Sequence, residues 1–587
     1  MSLAGQRRQS LRGIVRFFCA VIPFCVVNLV PWCAFAGTKT WDGRWDTTKI
    51  EVSVVYFVPS DRTPLSDWNE RVRYFCRRIE QFHHREFQGQ SVLKTVIHPE
   101  PLLSECTTAE LRRGDANAIF FRTLQECDRR LKFAQEQRRS FPILLVLSEI
   151  NWQPLDDFYR LKPASMSLEF EGQNIGGQHF PGAAAGGARA TYLADRGAGW
   201  GLVSADGWRV PYRGSDCVVY HEGCGHTVGL PHPEPVDNSV MGVAQYEGWI
   251  NESFLNKEQK IRLNWEPKET AASLQQELFD SFTAVPDPVV PKPGDHIRLN
   301  LTWPKECRVR TLQVRYQTSI DGPWIDAAQA VKDDRPVCAD VGRFERASPV
   351  SYRVDVELET GEVAELWGYF QVRNDPEKIV VPHVLPRDLM THSDSRNGRG
   401  EFVFDEAGEI DLLGHLDLSK CWSQGEWTLQ DDKLVSPKMY GSRLELPFSP
   451  TTSYRLIAIV EPLDAPNGLV LGHQIQGHRF VTLFHYANGE TPQSAVENVD
   501  NQNVGNETTF SGEVFRKGRL SQVIVTVQDG GVTMAVDGRV ISEWTGAADR
   551  LSLSDYWQTP GRTSLFVGAY DCRYRFHRLT VLPYKPE

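Results

Sequence analysis

The sequence predicts a multidomain protein in which an α/β domain is followed by two all-β sandwich domains. Three observations carry this expectation. The chain has 587 residues, 41% of them hydrophobic and 24% charged, and at ~100–200 residues per domain it divides into three or four units. Strand and helix signals alternate over residues 45–270, whereas beyond 295 only strand signals recur. Stretches 284–294 and 375–400, rich in proline or in polar residues, read as linkers between the regions.

Residues 1–36 read as an export signal. Arg7, Arg8, Arg12 and Arg16 form a positive start, no acidic residue precedes Asp42, and an apolar run ends in Ala34-Phe35-Ala36, the small-x-small form of a cleavage site. The expected compartment is periplasmic or extracellular, and no later segment is long and apolar enough to form a stable transmembrane anchor. Twelve cysteines occur in the chain. Removing Cys19, Cys25 and Cys33 with the signal leaves an odd number and hence at least one free thiol; Cys307 with Cys338 is the expected bridge. The net charge of −11 grows more negative when the four arginines leave, which argues against nucleic acid as a partner.

Within 45–270, residues 50–58 (IEVSVVYFV), 91–97 and 143–147 read as strands of a covered sheet. Ser66 and Asp67 stand where they would cap a helix bearing Trp68, Val72, Phe75, Ile79 and Phe82 on one face, and a second helix carries Phe120, Leu124, Cys127 and Leu131. The Gly- and Ala-rich stretch 172–201 predicts loops and an edge strand near a cleft. Residues 295–374 show the short alternating strands of an Ig- or fibronectin-like sandwich. In 401–587, Asp529-Gly530 and Asp537-Gly538 separate three strands as tight hairpin turns.

The chemistry concentrates in His221-Glu222-Gly223-Cys224-Gly225-His226-Thr227-Val228-Gly229-Leu230-Pro231-His232, with Met241 downstream. Imidazole nitrogens suit a tetrahedral zinc that keeps its fourth position for water, and a neighbouring carboxylate can take that water's proton. The candidate ligands are His221, His226 and His232, with Glu222 as base. Glu222 and His226 also stand four apart, so a register with Glu222 as ligand and His221 as bystander is the competing arrangement.

This segment resembles the metzincin metallopeptidases, whose signature is H-E-x-x-H-x-x-G-x-x-H with a downstream Met-turn. The resemblance covers residues 45–270. It implies a metzincin-like zinc metallopeptidase domain acting on a protein or peptide substrate, with Gly229 as the helix-ending turn, Met241 as the Met-turn and Tyr246 as a candidate oxyanion stabiliser. One residue departs from the pattern: His221 and His226 are five apart rather than four. Five residues of regular helix turn through about 500°, separating the two side chains by about 140°. A one-residue π-bulge, eased by Gly223 and Gly225, restores a common face. The lengthened motif, with Gly before the second His, is similar to that of dipeptidyl peptidase III, so exopeptidase action on the same chemistry stays open beside endopeptidase action.

Residues 401–587 resemble the concanavalin-like (laminin-G-like) jelly-roll modules of secreted enzymes, on Val536-Asp537-Gly538-Arg539, Trp544 and Val567-Gly568-Ala569-Tyr570. The resemblance implies contact with a glycan or cell-surface polymer, with Trp422, Trp427, Trp544 and Trp557 as candidate platforms. Two functions thus stand at this point: a secreted zinc metallopeptidase, and a secreted glycan-binding or adhesion protein whose metal site is structural or inactive.

Overall fold

The computed structural model describes residues 37–584 except 134–137, 153–160, 164–167, 171–172, 176–177, 181–186, 243, 245–247, 269–270, 305–306, 319–321, 328–334, 376–409, 452 and 488. The signal at 1–36, most of the 375–400 linker and Tyr246 lie outside the described residues.

The first region is an open sheet with helices on both faces. Its longer strands are β1 (Lys49–Val58), β2 (Val92–Ile97), β3 (Phe141–Ser148), β4 (Ala188–Leu193) and β5 (Ala198–Val203), and its long helices are α1 (Trp68–Phe87) and α2 (Ala116–Leu131). The order across the sheet is β2-β1-β3-β5-β4. All neighbours are parallel except β4, which runs antiparallel to β5 at one edge. Period-two alternation in β1 explains the two-sided covering. Val52, Val54, Tyr56 and Val58 meet the α1 residues Val72, Phe75, Ile79 and Phe82, while Val55 and Phe57 meet Phe120, Leu124 and Cys127 of α2. The Gly-rich stretch supplies the edge strand β4, but it also supplies β5, a fully buried strand next to the edge.

The region expected to be Ig-like contains β6 (Thr283–Asp287), β7 (His296–Thr302), β8 (Val309–Gln317), β9 (Ile325–Asp326), β10 (Cys338–Arg343), β11 (Ser348–Leu358) and β12 (Val363–Val372). They form one sheet β6-β7-β10 and another β9-β8-β11-β12. The expected 284–294 linker is therefore corrected at its start: residues 284–287 belong to β6, which pairs with β7. An edge strand accommodates Pro286, because the missing N–H is needed only where both sides are paired. All nine cysteines of the described chain are free, so the Cys307–Cys338 bridge is also corrected: Cys338 faces solvent on β10, whereas Cys307 packs against the core.

The last region is a β-sandwich of an eight-stranded and a seven-stranded sheet. Ser521–Gln528, Gly531–Val536 and Arg539–Thr545 make consecutive hairpins whose turns put Gly530, Asp537 and Gly538 at positive φ, as Asp-Gly turns require. One hydrophobic core runs through this sandwich and the Ig-like one. The Arg539 guanidinium lies 4.2 Å from the Tyr316 ring centroid, and the Glu345 N–H donates to the Gly538 carbonyl at 2.6 Å.

The α/β region docks on the Ig-like sandwich through Arg71 of α1. Asp67 occupies the helix N-cap but makes no capping bond. Its carboxylate instead accepts from Arg71 Nε at 3.0 Å, from Arg71 Nη2 at 2.9 Å and from the Trp324 indole at 2.7 Å. Arg71 also donates to the Arg209 carbonyl (2.6 Å) and to Gln317 (2.8 Å), with its guanidinium against the rings of Trp324 and Trp367. Arg71 is fully buried. Arg71→Ala strands Asp67 without its partner, and chemical denaturation is expected to show a loss of about 3–5 kcal/mol.

In the last sandwich His473 is buried with Nδ1 3.1 Å from the Tyr454 hydroxyl and Nε2 3.0 Å from Thr482 Oγ1. Burial pushes its pKa down to about 3. A depressed folded-state pKa gives stability that is complete above about pH 6.5 and is lost as pH falls toward 3, because the unfolded chain binds the proton more readily in that window. Urea midpoints are expected to fall between pH 7 and pH 5, with a flatter profile for His473→Asn.

Candidate metal centre

The site is built on a helix that changes pitch where the extra residue requires it. Helix α3 (Ser215–Tyr220) runs into a π-helical turn at His221–Gly225 and then a 3-10 turn at His226–Val228, which Gly229 ends in a left-handed conformation at φ 91°. The π turn absorbs the fifth residue between the two histidines, so both face one way. Met241, fully buried, lies beneath the turn, where a Cβ on Gly225 would stand 2.1 Å from its sulfur. Only glycine permits that approach. The backbone N–H of Trp41 donates to the Val228 carbonyl at 2.9 Å and holds the end of the helix.

Three imidazoles converge. His221 Nε2 lies 2.8 Å from His226 Nε2 and 3.1 Å from His232 Nε2, and the last two are 3.1 Å apart. His221 Nδ1 is 2.9 Å from the Val240 carbonyl, and His226 Nδ1 is 2.7 Å from the Leu230 carbonyl. A carbonyl only accepts, so each Nδ1 carries the proton and each Nε2 turns a lone pair toward the common point. Ligands of a tetrahedral zinc at about 2.0–2.1 Å would be about 3.3 Å apart. The donor set fits a metal ion, and the carbonyls supply the outer hydrogen bonds that metal-binding histidines use. His221 is buried, His226 half-buried and His232 exposed, so the group opens to solvent on the His232 side.

Burial, followed by the neighbouring His226, pushes the His221 pKa down to about 3. Burial raises that of Glu222 to about 8, with Arg189 opposing. Glu222 is not among the three converging groups; its Oε2 is buried and has no hydrogen-bond partner within the protein. His221, rather than Glu222, thus shares the common point with His226 and His232, which distinguishes the two registers. Cys224 is a buried thiol whose pKa burial raises far above the ordinary value, and Cys217 is free as well.

Residues that the motif does not contain hold this arrangement. The carboxylate of Asp216, buried on α3, meets Arg78 Nε of α1 at 2.9 Å and accepts from the Ile250 N–H at 3.0 Å. It thereby ties the metal-bearing helix both to α1 and to the chain beyond Met241. Tyr220 Oη lies 3.0 Å from His83 Nδ1, and His83 Nε2 lies 2.8 Å from Ser91 Oγ. An acidic residue inside the apolar run Ser215–Tyr220 was the available signal for Asp216; nothing local marks His83. Of the tryptophans singled out for glycan contact, Trp427, Trp544 and Trp557 are buried in the last sandwich, and Trp422 is half-buried near Arg443. The platform role is corrected for the three buried residues: their rings serve the core.

No protein-family model matches the chain, and no curated protein matches it. Solved structures with local likeness include the exoplasmic/lumenal domain of VIP36 in a Ca2+/Man3GlcNAc-bound form, at 11% identity over 31% of this chain and 91% of that one, TM-score 0.23. Others are the carbohydrate-binding module CBM66 from Bacillus subtilis, at 8% identity over 28% and 94%, TM-score 0.21, and the Emp46p carbohydrate recognition domain, at 8% identity over 30% and 96%, TM-score 0.21. At this level of likeness they assign no activity to the chain.

The close contact of Gly225 with Met241 yields a direct check. Gly225→Ala is expected to lower stability by about 1–3 kcal/mol through overpacking, and to weaken metal binding in competition with a chromophoric chelator.

Proposed function

We propose that this chain is an exported, metzincin-like zinc metallopeptidase whose last sandwich holds it on a glycan polymer. The observation that carries the catalytic part is the convergence of His221, His226 and His232 across a π-helical turn, with two of the three fixed by backbone carbonyls. Zinc, when bound, supplies Lewis acidity that polarises a peptide carbonyl and acidifies water. Glu222 takes the proton of the attacking water at its unpartnered Oε2 and returns it to the leaving amine. Edge strand β4 has a single sheet partner among the described residues, and its outward backbone row offers antiparallel pairing to an extended peptide.

The second reading is a glycan-binding or adhesion protein whose metal is structural. An exposed tyrosine cluster on the last sandwich favours it. The named neighbours are carbohydrate-binding domains, in keeping with this reading, though TM-scores near 0.2 leave the decision to the residues.

Elemental analysis of the purified protein and peptidase assays of wild type and Glu222→Gln separate the two. One zinc per chain in both proteins, with activity reduced about 10²–10⁴-fold in the variant, is the expected result. Zinc without hydrolysis in the wild type gives the second reading; absence of zinc, or equal activity in both, overturns the peptidase.

A further inference from the structure

The seven-stranded sheet of the last sandwich carries a small hydrophobic cluster of its own, formed by Val470, Val481, Leu483, Phe566 and Trp557. Trp557 belongs to the turn Asp555–Trp557. At the margin of this cluster four tyrosines from four separate segments meet. The rings of Tyr440, Tyr486 and Tyr556 stand 4.9, 5.4 and 6.2 Å from that of Tyr570, at interplanar angles of 74°, 77° and 57°. Two of these contacts are edge-to-face and the third is tilted, so the rings cluster around Tyr570 rather than stack. Tyr440 is 58% exposed and Tyr556 47% exposed.

The backbone is shaped to hold the phenols there. Gly441, at φ +72°, would place a Cβ 2.8 Å from the Tyr556 hydroxyl. Asp571 adopts a left-handed backbone at φ 60°, which Asp tolerates better than most residues. Its charge and its hydrogen bond to Tyr440 raise that phenol's pKa. A core needs none of this, because phenols left in water bury little area. Clustered exposed aromatics mark a contact surface, since Tyr offers a rigid apolar face and a polar tip at low entropic cost.

We propose that the cup formed by Tyr440, Tyr486, Tyr556 and Tyr570 binds a neutral polysaccharide. A pyranose ring has an apolar C–H face and a rim of hydroxyls; tyrosine faces accept the first, and phenol hydroxyls with the Asp571 carboxylate accept the second. The carboxylate and the electron-rich ring faces repel an acidic polymer. Arg443, the cation nearest Tyr556, is already committed to the Tyr556 carbonyl and to Gln424. The inference rests on the polymer-holding role proposed above and assigns it to residues, in place of the buried tryptophans.

The test is affinity gel electrophoresis of the full-length protein in gels containing hydroxyethyl cellulose, β-1,3-glucan or mannan, with polygalacturonate as the acidic comparison. Retardation by at least one neutral polymer is expected, with the association constant reduced at least tenfold in Tyr440→Ala/Tyr556→Ala. Both side chains are exposed, and an unchanged unfolding midpoint verifies the fold of the variant. Undiminished retardation of the double variant overturns this site while leaving glycan binding to another face. Retardation by polygalacturonate alone overturns the neutral ligand. Absence of retardation of the wild type in every gel overturns the cup and the polymer-holding role together.

Discussion

The contact between Met241 and the glycine at 225 is the constraint on which the metal centre depends. A five-residue spacing on a regular helix would send His221 and His226 to different sides, and only a widened turn brings them together. A widened turn leaves a backbone bulge that must rest on something dense. The buried Met241 side chain fills that place, and the adjacent Val240 carbonyl fixes the ring of His221. One short segment therefore supports the turn from below and orients its first histidine. Asp216 extends the same logic, linking the helix to α1 and to Ile250 in one buried carboxylate. Burial pushes the Asp216 pKa up even with Arg78 beside it, so its ionised form depends on that arginine being in place.

The modules share a core rather than hanging on tethers. Arg71 is a buried cation whose hydrogen bonds come from both sides of the junction: Asp67 and the Arg209 carbonyl on one, Gln317 on the other. Trp324 and Trp367 of the Ig-like sandwich enter the hydrophobic cluster of the α/β region. The Ig-like sandwich in turn continues into the core of the last one. The last sandwich also reaches the α/β region directly, where Arg516 donates to the Ser66 hydroxyl at 3.0 Å.

Periodic segments were legible in the sequence. The apolar positions of α1 and the β-branched run of β1 occupy the faces their spacing predicts, because burial on one or two sides selects those patterns directly. The Asp-Gly hairpins were legible for the same local reason. What composition suggested without a pattern fared less well. Proline at 286 reads as a linker signal, yet an edge strand tolerates it. Exposed and buried tryptophans look alike in a sequence, so Trp544 and Trp557 could not be placed, while the tyrosines of the cup lie 130 residues apart in the chain, from Tyr440 to Tyr570, and meet only through sheet pairing. Asp67 carried a helix-start signal, but Arg71 one turn further along the helix and the distant Trp324 outcompeted the backbone for its carboxylate.

The gradient of burial across the three histidines bears on how the centre works. His221 and His226 are set by carbonyls of the fold itself, whereas His232 sits exposed beyond Gly229. The Nε2 lone pairs of His221 and His226, 2.8 Å apart, repel one another unless a proton or a cation sits between them. That repulsion is built in by groups whose hydrogen bonds leave them no other orientation, so the folded chain is prepared for an ion before it meets one. Binding then stabilises the folded state by mass action, and the exposed third ligand is the one free to adjust. The carbonyl-held pair sets where an ion would sit, and the outer histidine leaves that point open to solvent.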